Sequence, residues 1–430
     1  MLSTSITGDQ RYVKAINRMG LLRLLREQPG MSRAELAERS GLTRSTVSAR
    51  IKELIDEGWL SEESAAITGG PGRRPTPLQL DGSRLILLGA DLGPDAIRVV
   101  ATSIKGELLE SSQAALRSRE PDPACHQLVA MVGALSARMT RDGAQLLGIG
   151  VGLHGLVDKR SGLLEFAPNN RWRNVDVGKR LGAELARAGL ASVPVYYHNE
   201  ADLAAVGETE FSESPGDDPL VYVSCGIGVG AGIILHGALF TGATGSAGEI
   251  GHTTLAIDGA PCSCGRLGCA EAYLGLKSIA AAAGCLQHGA IHHAALRARM
   301  SARDPEARAA FARAGELLGV LLHNAWTTFN PQAIVLGGET VTLGGEILVD
   351  TASQVLARYA GRAGLQAPKV RLTRYADFAV AVGGAAYALH AILNPHQGSL
   401  HVPYAPEAAA AGARVGRPGP AASGMRANAA

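Results

Sequence analysis

Four residues are spaced as a metal-ligand set: His252, Cys262, Cys264 and Cys269, in the order His-x9-Cys-x-Cys-x4-Cys. Three thiolates and one imidazole complete a tetrahedral zinc sphere, and a sphere closed by four protein ligands has no open position for a catalytic water. The spacing predicts a structural Zn2+ that holds a loop in shape. Gly259, Gly265 and Gly268 allow the tight backbone such a knuckle needs, and Glu249 and Glu271 flank it, so the loop is built to aim carboxylates at a partner. The alternative is a disulfide pair with a spare thiol. Cys262 and Cys264 are too close to bridge comfortably, and the polar stretch Met1–Gln10 carries no secretory pattern that would imply an oxidising compartment. Cys125, Cys225 and Cys285 lack this spacing and read as small apolar fillers.

The elements that carry this loop belong to a chain of 430 residues, more than one hydrophobic core usually organises, so two or three domains are expected. Hydrophobic residues make up 46% and aromatic ones only 4%, which leaves packing to Ala, Leu, Val and Ile. The net charge of +2 excludes a strongly polybasic or polyacidic protein. Residues 1–80 carry 12 Lys/Arg against 9 Asp/Glu, a mild local basic bias. No apolar run is read as reaching the roughly 20 residues a membrane helix needs, and a cytoplasmic protein without membrane contact is expected.

Residues 11–58 read as three helices. Tyr12, Ile16, Met19, Leu22, Leu24 and Leu25 form an apolar stripe ending at Gln28-Pro29-Gly30. Ser32 caps a second helix with Glu35 at the capping-box position, and Gly41 closes it. Thr43 opens a third, whose buried face is Val47, Ile51, Leu54 and Ile55. Its outer face carries Arg44, Ser45, Thr46, Ser48, Arg50 and Lys52. Small hydroxyls beside arginines at the start of a helix suit insertion into a major groove. Trp59–Glu62 and Pro77–Leu80 read as a hairpin whose tip carries Arg73 and Arg74, within reach of phosphates or a minor groove. The outline is a winged helix-turn-helix over 1–80, with Thr43, Arg44, Ser45, Thr46, Ser48, Arg50, Arg73 and Arg74 as its DNA-contacting residues.

From Arg84 the texture turns α/β. Strands are expected at 85–91, 97–101, 146–153, 193–198, 220–223 and 232–235, with helices over 123–141 and from Ala201. Two strand-hairpin-helix lobes, 84–200 and 201–395, suggest a duplicated fold with a cleft between the copies, and the C-terminal helix of the second is a candidate to return to the first. Residues 403–430 are rich in Ala, Gly, Pro and Arg without periodicity, and 396–430 read as a disordered tail.

Several motifs together resemble the ROK family (repressors, open reading frames, kinases), most closely its transcriptional-regulator branch of xylose- and N-acetylglucosamine-repressor kind. They are the zinc signature, Asn199-Glu200-Ala201-Asp202, Gly226-Ile227-Gly228-Val229-Gly230-Ala231-Gly232, Ala167-Pro168-Asn169-Asn170-Arg171-Trp172 and Asn330-Pro331-Gln332-Ala333-Ile334-Val335-Leu336-Gly337-Gly338. The resemblance implies an actin-like, sugar-kinase fold over 84–395, with a sugar site in the cleft beside the zinc knuckle. It implies sugar contacts from Asn199, Glu200, Glu249, His252 and Glu271, residue types that satisfy hydroxyls well. Support of the knuckle alone is the plainer role for Glu249 and Glu271.

The same resemblance exposes departures from the kinase pattern. Glu200 stands where family kinases place Asp, and one extra methylene displaces a base by roughly 1 Å, enough to cost about 10²-fold in rate. Kinases run Asp-x-Gly-Gly-Thr where this chain has Asp91-Leu92-Gly93-Pro94-Asp95, so Pro94 removes an N–H donor and Asp95 adds negative charge beside an anionic ligand. Ile227 replaces a threonine in the second loop. The expectation is therefore a non-enzymatic regulator, most simply a repressor of carbohydrate genes. It would bind operator DNA as a homodimer or tetramer and respond to a sugar or sugar phosphate. An ATP-dependent sugar kinase with an added DNA-binding head is the alternative.

Overall fold

The computed structural model describes residues 10–63, 76–141, 143–211 and 217–394. Arg73, Arg74 and the expected tail at 396–430 lie outside the described residues.

The head comprises α1 (Gln10–Glu27), α2 (Arg33–Ser40), α3 (Arg44–Asp56) and the strands β1 (Leu60–Glu62) and β2 (Leu78–Leu80), which pair antiparallel. Local chemistry sets its boundaries. Ser32 and Glu35 form the capping box, Thr43 Oγ1 accepts from the Thr46 N–H at 3.2 Å, and Gly41 ends α2 in the left-handed region at φ 69°. Leu21, Leu22, Leu25, Leu36, Val47, Ile51 and Leu54 fill its core.

Next come β3 (Leu85–Leu92), β4 (Ala96–Ser103), β5 (Leu108–Ala115), α4 (Pro121–Met139), β6 (Gln145–Leu153), β7 (Leu156–Asp158), β8 (Leu163–Ala167), β9 (Trp172–Asp176), α5 (Val177–Arg187), β10 (Val195–Asn199) and α6 (Glu200–Glu210). The sheet order is β10-β6-β3-β4-β5, with β3, β6 and β10 parallel. Asp91 is opposite Gly152, and Leu153 is opposite Asn199. Three strands from distant parts of the chain therefore end at one edge, where open α/β sheets bind ligands.

A second sheet has the order β13-β12-β11-β16-β17, from β11 (Leu220–Cys225), β12 (Val229–Leu235), β13 (Ala238–Leu239), β16 (Ala333–Gly337) and β17 (Lys369–Leu372). Between β13 and β16 lie α7 (Glu271–Leu274), α8 (Leu276–Ala282), the small hairpin β14 (Leu286–Gln287) and β15 (Ala290–Ile291), α9 (His293–Ser301) and α10 (Pro305–Phe329). Helix α11 (Glu339–Arg362) follows β16, and α12 (Ala379–Leu393) follows β17.

Helix α12 returns to the first sheet and packs on β3 and β6, while α6 packs on β11 and β12. The two helices also pack on each other and make the seam between the sheets. The expectation that no run approaches a membrane-spanning length needs correction here. Ala376–Leu393 is long and apolar enough by length and composition, but 61% of it is buried inside the protein. Its alanines and glycines allow the close packing that a core helix between two sheets requires.

Candidate functional site

A cleft of about 560 Å³ opens between the two sheets. Its first wall is the carboxyl edge of β3, β6 and β10. Asp91, next to last in β3, is buried; it receives Arg98 Nη1 at 3.3 Å and faces His154 Nε2 at 2.8 Å. Asn199 caps α6: its Oδ1 accepts from the N–H groups of Ala201 (2.8 Å) and Asp202 (3.4 Å). Its Nδ2 donates to the Gly155 carbonyl (3.0 Å) and to Glu200 Oε2 (2.7 Å). The amide is thus occupied in holding α6, the Gly155 turn and Glu200 in place. Burial raises the Glu200 carboxyl to about 7 against the pull of His154. Burial alone would lower His154, but the carboxylates of Glu200 and Asp91 outweigh it and hold the imidazole at about 9.

The second wall is the knuckle. The segment Gly248–His252 lies against β12, with the Ala231 N–H bonded to the Gly248 carbonyl at 2.7 Å. A β-carbon on Gly251 would fall 2.0 Å from the Val229 carbonyl oxygen, so only glycine admits this approach. The cysteine loop turns tightly through Cys262 N–H to Arg266 O at 2.9 Å, and Gly268 at φ 70° passes against Ala256. The ligand atoms of His252, Cys262, Cys264 and Cys269 all lie within 4.8 Å of one another, a cluster compatible with one metal ion. Cys262 Sγ is 3.7 Å from His252 Nδ1, and Cys264 Sγ is 3.8 Å from Cys269 Sγ. Those separations suit sulfur and nitrogen atoms about 2.3 and 2.0 Å from a common tetrahedral centre. Nδ1 faces the cluster, while Nε2 looks toward Glu249 Oε2 at 3.7 Å.

The two flanking glutamates differ. Glu271 is buried, accepting from the Val229 N–H at 3.1 Å and from Ser263 Oγ at 2.6 Å, so both of its oxygens brace the knuckle against β12. The Glu249 side chain is 44% exposed and lines the cleft, and burial still raises its carboxyl. All five sequence-predicted sugar residues line this one cleft, with Asn199 and Glu271 largely engaged by protein partners.

At the other end of the cleft, the Asp95 carboxylate meets Arg119 at 2.6 Å and His293 Nε2 at 3.6 Å, and His293 Nδ1 reaches Glu339 at 3.0 Å. His293 thus links the Asp95 turn of the first lobe to Glu339 of the second. Sequence reasoning missed His154 as a cleft residue, and Asn169, which lines the cleft opposite Gly228. The quoted Pro168-Asn169-Asn170 motif held the signal for the last.

On the head, Arg44, Ser45 and Ser48 are exposed on α3. Thr43 is spent partly on capping and contacts Ser45 Oγ (3.0 Å) and Thr46 Oγ1 (2.8 Å), and Arg50 pairs with Glu53 at 3.0 Å along its own helix.

A two-lobed actin-like, sugar-kinase fold carrying a metal-competent knuckle and an N-terminal winged helix-turn-helix defines a fusion of a DNA-binding head to a sugar-kinase scaffold. The family model described as "ROK family" matches residues 87–391, and that described as "Winged helix-turn-helix DNA-binding" matches 15–61. The chain belongs to the ROK family. It is 32% identical to a xylose repressor of Bacillus subtilis (strain 168) over 355 residues, 82% of this chain and 89% of that protein. A solved ROK family transcriptional regulator, a homolog of the E. coli MLC protein, is similar in fold with a TM-score of 0.72 at 23% identity, covering 89% of this chain and 97% of that one. A ROK family glucokinase from Streptomyces griseus, solved with glucose and AMPPNP, matches with a TM-score of 0.60 at 25% identity, covering 71% of this chain and 99% of that one.

Proposed function

We propose that the protein is a sugar-responsive, DNA-binding transcriptional repressor, with a structural zinc at the knuckle and no kinase activity. The observation that carries this reading is the course of α6. It begins at Glu200 in the cleft and ends about 15 Å away at Glu210, which ion-pairs with Arg26 of the head helix α1 and with His390 of α12 at 2.6 Å. Arg26 also reaches the Glu210 carbonyl, and Arg23 bonds Asn394 at 2.9 Å. Burial opposes ionisation of Glu210, but its bonds to His390 and Arg26 outweigh that and keep the carboxyl below its ordinary range. One helix thus touches both the ligand wall and the DNA-binding head. An enzyme that merely carried a head would have no need of this connection.

A sugar that prefers one arrangement of the lobes shifts the set of head positions by its differential affinity alone. Paired heads in a homodimer or tetramer would then gain or lose register with operator half-sites, and the reading puts the protein in the cytoplasm with its DNA. His252, Cys262, Cys264 and Cys269 would hold the zinc, which supplies rigidity. The absence of catalysis is supported by Pro94, by Glu200 in place of Asp, and by the Asp95–Arg119 ion pair.

The test is release of operator DNA, enriched from genomic fragments by repeated binding, on addition of D-xylose, D-glucose or N-acetyl-D-glucosamine and their phosphates. Wild type should release. Glu249→Ala should bind DNA but lose the response, and Arg26→Ala should bind both DNA and sugar but require more sugar for release. Sugar-dependent ATP turnover at about 1–100 s⁻¹ would overturn the reading in favour of a kinase.

A further inference from the structure

His154 stands in the turn between β6 and β7, at the floor of the cleft and outside the set of sugar contacts named so far. It is fixed from two directions. Its Nε2 meets Asp91 Oδ1 at 2.8 Å, and Asp91 is itself held by Arg98. The next residue, Gly155, gives its carbonyl to Asn199, which also grips Glu200. The ring therefore cannot turn without breaking a bond to a buried carboxylate. Its other nitrogen, Nδ1, faces Glu200 Oε1 at 3.9 Å. That distance is too long for a hydrogen bond and suits one oxygen placed between the two groups. Because the flanking acids keep the imidazole protonated, Nδ1 presents an N–H beside a carboxylate acceptor.

We propose that His154 is a ligand-contacting residue that holds one sugar hydroxyl together with Glu200: the Nδ1–H donates to the hydroxyl oxygen, and the hydroxyl donates to the carboxylate. This rests on the sugar-binding reading of the cleft and narrows it. The occupant must both accept and donate at one oxygen, so a free hydroxyl fits. A deoxy carbon leaves both partners unpaired, and an O-methyl ether cannot donate. A phosphate ester at that oxygen brings a dianion against Glu200 and Asp91. The ligand selected is a sugar unmodified at the hydroxyl nearest α6.

Titration calorimetry of the full chain with D-xylose, D-glucose and N-acetyl-D-glucosamine identifies a ligand for wild type, and the monodeoxy analogues of that sugar then locate the hydroxyl. His154→Ala should weaken the parent sugar by about tenfold to a hundredfold, as loss of a hydrogen bond to a charged group does. The same substitution should cost almost nothing against one particular deoxy analogue while costing its full amount against the others, a coupling that a merely structural role does not produce. His154→Gln, which keeps a donor for Asp91 but withdraws the one facing Glu200, should reproduce the pattern, with unfolding midpoint and metal content as controls for folding. Unchanged affinity in both variants, or equal losses against every analogue, overturns the assignment while leaving the sugar reading intact. Wild-type protein that binds none of the three sugars overturns both.

Discussion

Glu200 and His154 face each other where a half-buried acid and a half-buried base each distort the other's titration. The imidazole is held at about 9 in the folded chain against an ordinary 6.5. The stability it contributes is complete below pH 6.5 and is lost as pH rises through 9. The rise corresponds to a ceiling of about 3 kcal/mol, reduced in practice by the solvent reaching a quarter-exposed ring and by its coupling to Glu200. Urea unfolding should show wild type losing roughly 1–2 kcal/mol between pH 6.5 and 9. His154→Gln should be flat across that window relative to wild type; parallel curves would count against the ion-paired imidazole. Glu200, raised to about 7 from 4.5, adds a lower window in which stability falls as pH rises from 4.5 to 7.

Among the elements, α6 and α12 show how small residues decide packing. A β-carbon on Gly383 would lie 1.9 Å from the Leu203 carbonyl oxygen, and one on Gly207 3.0 Å from the Gly383 α-carbon. The helices are in backbone contact along the seam that joins cleft to head. Gly383→Ala should lower stability by about 2–3 kcal/mol through overpacking and weaken sugar-dependent release of DNA. Gly361→Ala, in α11 with nothing within 4 Å of the added carbon, should be neutral or stabilise by up to about 1 kcal/mol. Equal unfolding midpoints for the two variants would refute the tight seam. Head boundaries were legible in the sequence because capping acts over three or four residues: the Ser32–Glu35 box, the Thr43 cap and the Gly41 stop all stand as expected. The apolar character of α12 was misjudged because alanine and glycine satisfy a membrane and a close-packed seam alike.

In the whole molecule, the head is docked on the body and not tethered beside it. Leu21, Leu22 and Leu25 of α1 share one continuous core with Ala385 and Leu389 of α12. If two such chains present their heads to paired half-sites, inserting about 5 base pairs between the half-sites should weaken binding at least tenfold by rotating one head to the far side of the duplex, and inserting about 10 should restore part of it. Binding indifferent to spacing would point to heads that act independently.

The sequence alone determined what local chemistry determines: the His-x9-Cys-x-Cys-x4-Cys ligand set, the helix caps and the strand periodicity. Each depends on neighbours within about a dozen residues or on the identity of one side chain. Tertiary structure decided which of the predicted groups are free to meet a ligand. Asn199 and Glu271 spend their polar atoms on α6 and β12, whereas His154 gains Asp91 from 63 residues away. It also decided that α6 runs from the cleft to Arg26. Parallel pairing of β3, β6 and β10 brings together ends that no spacing rule relates, and burial then sets the charge each group carries there.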